Sequence, residues 1–259
     1  MRYAILSDAH ANPAALEAAL EDARGHGCEK FVFLGDVTGY GYDAKKTLSI
    51  VRKNFDVVLL GNHDSACLGR ENSPLDIANP NYDLDRDQRG DLSRTELKWL
   101  GARRFFKSVD GMAFAHGDFS CPEKWNYICV ESDATISFAS RPEALMFCGH
   151  THHLAVWEMS GDAEVLCPSD ERIRHPATKP ESVVFRRGKG SRYIVNVGSV
   201  GYPRSDLCST YVICDPSEGS FTVRRLPFDF KSYIEEMISR KIGLPQWLCR
   251  ILLAATGAF

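Results

Sequence analysis

The chain has 259 residues, 44% of them hydrophobic and 25% charged, an ordinary globular composition that excludes global disorder and fibrous architectures. Its 31 Lys and Arg against 34 Asp and Glu leave a formal charge of −3, without the basic excess or basic run that binding to long nucleic acid or to a membrane surface needs. Nine cysteines, an odd count with no Cys-x-x-Cys pair, argue for a reducing compartment.

The N-terminal apolar run meets Asp8 too early for a signal peptide, and no apolar run approaches a membrane span, so a cytoplasmic location is expected. Residues 2–7 read as a buried strand. Asn12, Pro13, Leu16, Leu20, Ala23 and Gly25 then supply an N-cap, a first-turn proline, a helical apolar face and a terminal glycine. A second strand at 31–34, a helix from Asp43 through Leu48 and Val51, and a third strand at 56–60 follow. Strand, helix, strand, helix, strand is the pattern of parallel crossovers, so the first half is α/β.

Residues 69–92, with Asn79-Pro80-Asn81, Asp83, Asp85, Arg86, Asp87 and Arg89, are polar and lack periodicity, which reads as a surface insertion. Its position beside the third strand end makes it a candidate wall for a substrate. Helix resumes at Ser93, with Glu96 completing a capping box and Leu97 and Leu100 on one face. Strands are expected at 111–115 and 145–148, and after residue 152 at 154–159, 182–186, 192–197, 210–214 and 220–226. A helix opening at Ser232 would place Ile234, Met237, Ile238 and Ile242 on one side, and 231–259 reads as C-terminal helices, with Trp247–Leu253 docked rather than inserted in a membrane.

The chemistry-bearing residues follow strand ends. Asp8 and His10 follow the first strand, Gly35-Asp36 the second, Gly61-Asn62-His63-Asp64 the third, His116 the fourth, and Gly149-His150-Thr151-His152 the fifth. In extended chain, residues two apart share a side, so Asp8 with His10 and His150 with His152 address common points. Open α/β sheets place their sites at strand carboxyl ends. Imidazole and carboxylate donors without thiolate suit Zn, Mn, Fe or Ni better than Mg or Ca. Seven candidate ligands exceed one tetrahedral site and suit two ions if a carboxylate bridges. Such a pair attracts phosphate, lowers the pKa of a water and supplies hydroxide for in-line attack on a phosphoester.

These five ordered motifs resemble those of the calcineurin-like metallophosphoesterase superfamily, and the match spans most of the chain. Gly39-Tyr40-Gly41, the 196–204 segment ending in Tyr202-Pro203-Arg204, and Gly243-Leu244-Pro245-Gln246-Trp247-Leu248 resemble its small bacterial and archaeal branch. The resemblance implies a four-layer αββα sandwich with two central mixed sheets, one domain over 1–259, and a metal site at strand carboxyl ends. It implies Asp8, His10, Asp36 and His152 on one metal and Asp36, Asn62, His116 and His150 on the other, with Asp36 bridging. His63 takes the position that contacts the phosphoryl oxygen or protonates the leaving group.

One departure concerns the second motif. The protein-phosphatase branch has an aspartate and an arginine where this chain has Gly39 and Tyr40, so the carboxylate that orients the histidine and the phosphate-gripping arginine are both absent from their positions. Arg204 is the candidate replacement for a phosphate contact. The reading is therefore a hydrolase of phosphodiester bonds in a small nucleotide or dinucleotide, holding two divalent transition metals, with manganese first among Mn, Fe, Zn and Ni. A phosphomonoesterase or serine/threonine protein phosphatase, and a non-catalytic scaffold, are the alternatives.

Overall fold

The computed structural model describes residues 1–70, 82–161, 164–167, 177–204 and 207–242. Its strands in chain order are β1 (Tyr3–Leu6), β2 (Lys30–Phe33), β3 (Val57–Val58), β4 (Phe106–Val109), β5 (Met112–Ala115), β6 (Leu145–Cys148), β7 (Ala155–Met159), β8 (Val165–Leu166), β9 (Glu181–Arg186), β10 (Arg192–Asn196), β11 (Cys208–Cys214) and β12 (Ser220–Pro227). The described helices are α1 (Pro13–Gly25), α2 (Ala44–Asn54), α3 (Asn62–Cys67), α4 (Asp83–Gln88), α5 (Arg94–Gly101), α6 (Glu131–Ser140) and α7 (Phe230–Ser239).

In β1, Tyr3 and Ile5 enter one apolar cluster while Ala4 and Leu6 enter another, the alternation that an extended backbone imposes. Both faces are covered, which is why the run is apolar throughout. The first sheet has the order β3-β2-β1-β11-β12-β9 and the second β4-β5-β6-β10-β7-β8. In the first, β1, β2 and β3 run parallel, with Tyr3 opposite Lys30 and Leu6 opposite Phe33, whereas β11, β12 and β9 are antiparallel additions. In the second, β5, β6 and β10 form the parallel centre.

The sheets face each other across Tyr3, Ile5, Val32 and Leu34 from one and Met112, Phe114, Phe147 and Val195 from the other. Leu16 and Leu20 of α1, Leu48 and Val51 of α2 and Leu100 of α5 cover the outer face of the first sheet. Ala134 and Phe138 of α6 cover the outer face of the second, completing four layers. The caps are those read from sequence: Asn12 Oδ1 accepts from Ala15 N at 3.2 Å, Asp43 Oδ1 from Lys46 N at 2.9 Å, and Ser93 and Glu96 bond reciprocally.

Several details differ from the sequence reading. The third strand keeps only Val57–Val58, because beyond it Leu59 bridges Arg104 and the chain turns into α3. Strands β4 and β8 and helix α6 carry too weak an apolar pattern to be read in advance; α6 buries only Ala134, Ser137 and Phe138. Helix α7 starts earlier, at Phe230 with Asp229 as its cap, and buries Tyr233 and Met237 while Ile238 is 61% exposed. The segment read as a surface insertion contains α4, whose Asp85 and Gln88 are buried. The segment 243–259 and its Gly243–Leu248 motif lie outside the described residues.

Phe114 is fully buried between the sheets, its ring stacked on Phe147 at 5.7 Å. Phe114→Ala should therefore lower the unfolding free energy by about 3–5 kcal/mol through lost burial and an unfilled cavity, read from the midpoint and slope of urea denaturation.

Candidate metal centre

The parallel strands deliver their carboxyl ends to one edge, where successive loops lock together through the backbone. Asp8 N donates to Gly35 O at 3.0 Å, His10 N to Asp36 O at 3.0 Å, and Ala11 N to Val37 O at 2.7 Å. The last loop closes the same edge: Val200 N donates to Ser7 O and Gly201 N to Asp8 O, while Ser199 Oγ bonds the Asp8 carbonyl at 2.8 Å. Gly61 permits the third loop to lie directly on the second, since a Cβ there would stand 2.0 Å from Asp36 Oδ1.

Asp8, His10, Asp36, His150 and His152 all have φ between 44° and 70°. Their convergence thus comes from left-handed turns and not from the strand alternation expected between Asp8 and His10 or between His150 and His152. Each such residue costs roughly 1–3 kcal/mol and persists only where its surroundings over-determine it. Part of that determination comes from Asp64, whose buried carboxylate accepts from the amides of Asp36 and Val37 at 2.9 Å and of Thr38 and Gly61 at 3.2 Å. Burial and the neighbouring Asp36 charge push Asp64 up to about 7, against those amide donors, which favour its ionised form.

One ligand atom from each of Asp8, His10, Asp36 and His152 lies within 4.8 Å of the others, and Asp36, His116 and His150 form a second such group that shares Asp36. Asn62 joins the second group, its Oδ1 3.1 Å from His116 Nε2. All seven ligand candidates read from sequence are thus brought together. Burial lowers His10 to about 4 and His150 to about 3. Asp36, with further help from Asp8, more than offsets burial at His116 and raises it to about 9.

The hydrogen bonds fix which way the imidazoles present their lone pairs. His10 Nδ1 faces the Thr38 carbonyl at 2.9 Å and His152 Nδ1 the Tyr202 carbonyl at 2.8 Å. A carbonyl only accepts, so both protons sit on Nδ1. The two Nε2 atoms, 3.0 Å apart, turn their lone pairs toward the same space. Asp8 Oδ1 lies 3.2 Å from His152 Nε2, and Asp36 Oδ2 3.2 Å from His116 Nε2, yet neither oxygen receives a hydrogen bond among the described residues. Buried acceptors gathered in one space are stabilised by a cation, and imidazole Nδ1–H held by a backbone carbonyl is the usual support of a metal ligand. The donor set fits divalent metal ions.

His63 lies beside this cluster in the first turn of α3, 4% exposed. Its backbone N donates to Asp36 Oδ1 at 3.0 Å and its Nδ1 is 2.7 Å from Asp85 Oδ2. Burial alone would lower its pKa, but the Asp85 and Asp36 carboxylates outweigh burial and raise it. Tyr40 packs on the His63 ring at 4.5 Å and stacks on Tyr202 at 4.3 Å. Arg204 does not reach the cluster: it is exposed, its guanidinium 5.9 Å from the Tyr202 ring centre.

A cavity of about 360 Å³ opens beside Asn62 and His150, with Tyr82, Trp125 and Tyr127 as aromatic walls, Arg70 and Lys124 as cations and Glu123 as an anion. Tyr127, 52% exposed, stacks on His150 at 4.3 Å. Sequence reading does not single out Trp125 or Tyr127 for the site, and it takes in Tyr82 and Asp85 only as members of the 69–92 stretch read as a candidate substrate wall, with no role of their own. They lie outside the five strand-end motifs, and Tyr82 and Asp85 fall in the stretch without periodicity.

Residues 1–219 match the family model for the calcineurin-like phosphoesterase superfamily domain. The chain belongs to that superfamily. A metallophosphoesterase from Sphaerobacter thermophilus is similar at 28% identity, covering 97% of this chain and 98% of that one with a TM-score of 0.78. A Pyrococcus horikoshii protein of hypothetical status shares the fold at 15% identity and a TM-score of 0.70, covering 97% of each chain. An uncharacterised Methanocaldococcus jannaschii protein is 28% identical over 257 residues, 95% of this chain and 94% of the relative. Membership makes this calcineurin-like phosphoesterase a phosphoric ester hydrolase, of a superfamily that uses divalent metals. No helix among its described residues is long and apolar enough to cross a membrane.

Asp64→Ala should unclasp the second and third loops and leave several amides buried without an acceptor. The expected loss is about 2–4 kcal/mol of stability, with Asp64→Asn intermediate because its amide keeps one acceptor oxygen. Denaturant titration of the metal-free proteins measures both.

Proposed function

We propose that the enzyme holds two divalent transition-metal ions and hydrolyses a phosphodiester of a small nucleotide or dinucleotide. The observation that carries the reading is the pair of buried donor groups that share Asp36. In this reading Asp8, His10, Asp36 and His152 hold one ion, Asp36, Asn62, His116 and His150 hold the other, and manganese is the first candidate. Bound there, two such ions lower the pKa of a water toward about 7 and stabilise charge on the phosphoryl oxygens.

The protein's own residues account for the remainder. His63 stands beside the shared carboxylate and gives a proton to the departing oxygen, which an alkoxide needs and a nitrophenolate does not. The cavity next to Asn62 and His150 offers faces on which a base can stack, and its two cations, Arg70 and Lys124, outnumber the one carboxylate, Glu123, which supports a nucleotide-bearing ester over a phosphoprotein. Tyr40, where the protein-phosphatase branch has its arginine, presents a ring packed on His63 and Tyr202, and that too favours a diester over a phosphate monoester dianion. Arg204, exposed beside Tyr202, would have to swing toward the centre to supply a phosphate contact. The odd cysteine count keeps a reducing, cytoplasmic setting part of this reading.

Turnover of a bis-aryl against a mono-aryl phosphate, with metal analysis of the same sample, tests the proposal. Two ions per chain and preference for the diester are expected. Preference for the monoester would assign a phosphomonoesterase, and metal binding without turnover of either would assign a scaffold. Asp36→Asn should lower occupancy of both sites, because a neutral amide cannot offset two dications, whereas His10→Ala should empty chiefly one. Two ions at unchanged affinity in Asp36→Asn would overturn the bridging assignment.

A further inference from the structure

Helix α4, in the polar stretch before Ser93, brings one carboxylate, that of Asp85, to His63. We infer that Asp85 is a positioning residue for His63, a carboxylate delivered by α4 that fixes the tautomer and direction of the ring. The inference rests on the reading of His63 as the group that serves the leaving oxygen.

The geometry supports it from several sides. Asp85 Oδ2 and His63 Nδ1 are 2.7 Å apart and both side chains are almost completely buried, 0% and 5% exposed. Helix α4 is docked by two further contacts. Gln88, one turn on from Asp85, accepts from Gly39 N at 2.8 Å and donates to the Gly41 carbonyl at 3.1 Å, and Asn62 Nδ2 donates to the Tyr82 hydroxyl just before the helix. The carboxylate is therefore held at both ends of its own segment and is not a chance surface contact.

Gly39 completes the arrangement. Its φ is +88°, and a Cβ there would stand 2.6 Å from His63 Nδ1 and 2.9 Å from Asp85 Oδ1. The volume beside the imidazole that any side chain at 39 would take belongs to Asp85. Glycine at 39 and aspartate at 85 are thus two parts of one arrangement.

Burial raises the pKa of Asp85 while His63 opposes that rise. The pair shares a proton that Asp85 holds on Nδ1, so the proton His63 gives to the leaving oxygen is the one on Nε2, the nitrogen that meets substrate. The ring left behind is the neutral Nδ1–H form. Among the described residues no protein group hydrogen-bonds that Nε2. Edge contacts from His10 at 4.9 Å and Tyr82 at 5.1 Å, with Tyr40 at 4.5 Å, confine the ring on its other sides. Rotation about the remaining side-chain bond is what Asp85 removes.

The test uses the full-length, metal-loaded enzyme and two diesters with a common phosphoryl group, one with an alkyl and one with a nitrophenyl leaving group. Asp85→Ala should lower kcat for the alkyl ester by roughly 10²-fold, the scale of a misplaced catalytic group, with a much smaller loss for the nitrophenyl ester and unchanged metal content. In a His63→Ala background the same substitution should cost nothing more. Asp85→Asn, which keeps the volume and one acceptor oxygen, should fall between, and it carries the same cycle if Asp85→Ala does not fold. Nitrogen-15 NMR of the His63 imidazole reads the positioning directly: once the ring is neutral, a single Nδ1–H tautomer in the parent and a mixture in Asp85→Ala. Additive losses in the double variant, equal losses for both leaving groups in Asp85→Ala where His63→Ala discriminates between them, or an unchanged tautomer would overturn the inference. If His63→Ala proved indifferent to the leaving group while the tautomer still depended on Asp85, the proton-donor reading of His63 would fail and the positioning contact would stand.

Discussion

Lone pairs that face one another without donors are the constraint on which this structure depends. His10 and His152 turn Nε2 atoms toward each other across 3.0 Å because backbone carbonyls claim the protons on their other nitrogens. Carboxylate oxygens of Asp8 and Asp36 enter the same space without hydrogen bonds. In a buried setting such a gathering is unfavourable by itself and becomes favourable around dications. The calcineurin-like centre is thus a place where the fold holds ligand atoms ready for divalent metal.

Holding them there takes the rest of the architecture. Five of the ligand candidates adopt left-handed backbone conformations, which a loose loop would relax. They are kept by the ladder between the loops after β1 and β2, by the return of residues 199–201 onto Ser7 and Asp8, and by Asp64 gathering amides from two loops. The buried interface between the two sheets keeps those loops at a fixed separation. Strain at the site and rigidity of the sandwich are therefore one design, in which apolar packing holds polar groups where they would not otherwise stay.

The surroundings of the centre differ in kind from the centre. On one side Tyr40, Tyr202 and His63 form a packed aromatic wall. On the other Tyr82, Trp125 and Tyr127 line an open cavity with Arg70 and Lys124. Most of these residues come from loops and short helices and not from the motif segments, which is where specificity can vary while the metal chemistry stays constant.

The sequence by itself determined the α/β start, the two caps of α1 and α2, the order of the strand-end motifs and the identity of all seven ligand candidates. It could do so because each motif adjoins a buried strand whose apolar run is visible over a few residues. It also determined, wrongly in cause though rightly in outcome, that Asp8 and His10 converge, since alternation and a left-handed turn bring residues two apart to one side alike. What only the tertiary structure decided is contact across the chain. Asp85 lies 22 residues from His63 in a stretch with no periodicity, and Tyr127 reaches His150 from a loop without a motif. Local sequence records how a segment bends and what it buries; which buried carboxylate meets which imidazole is set when helices and sheets pack, and no local pattern carries that information.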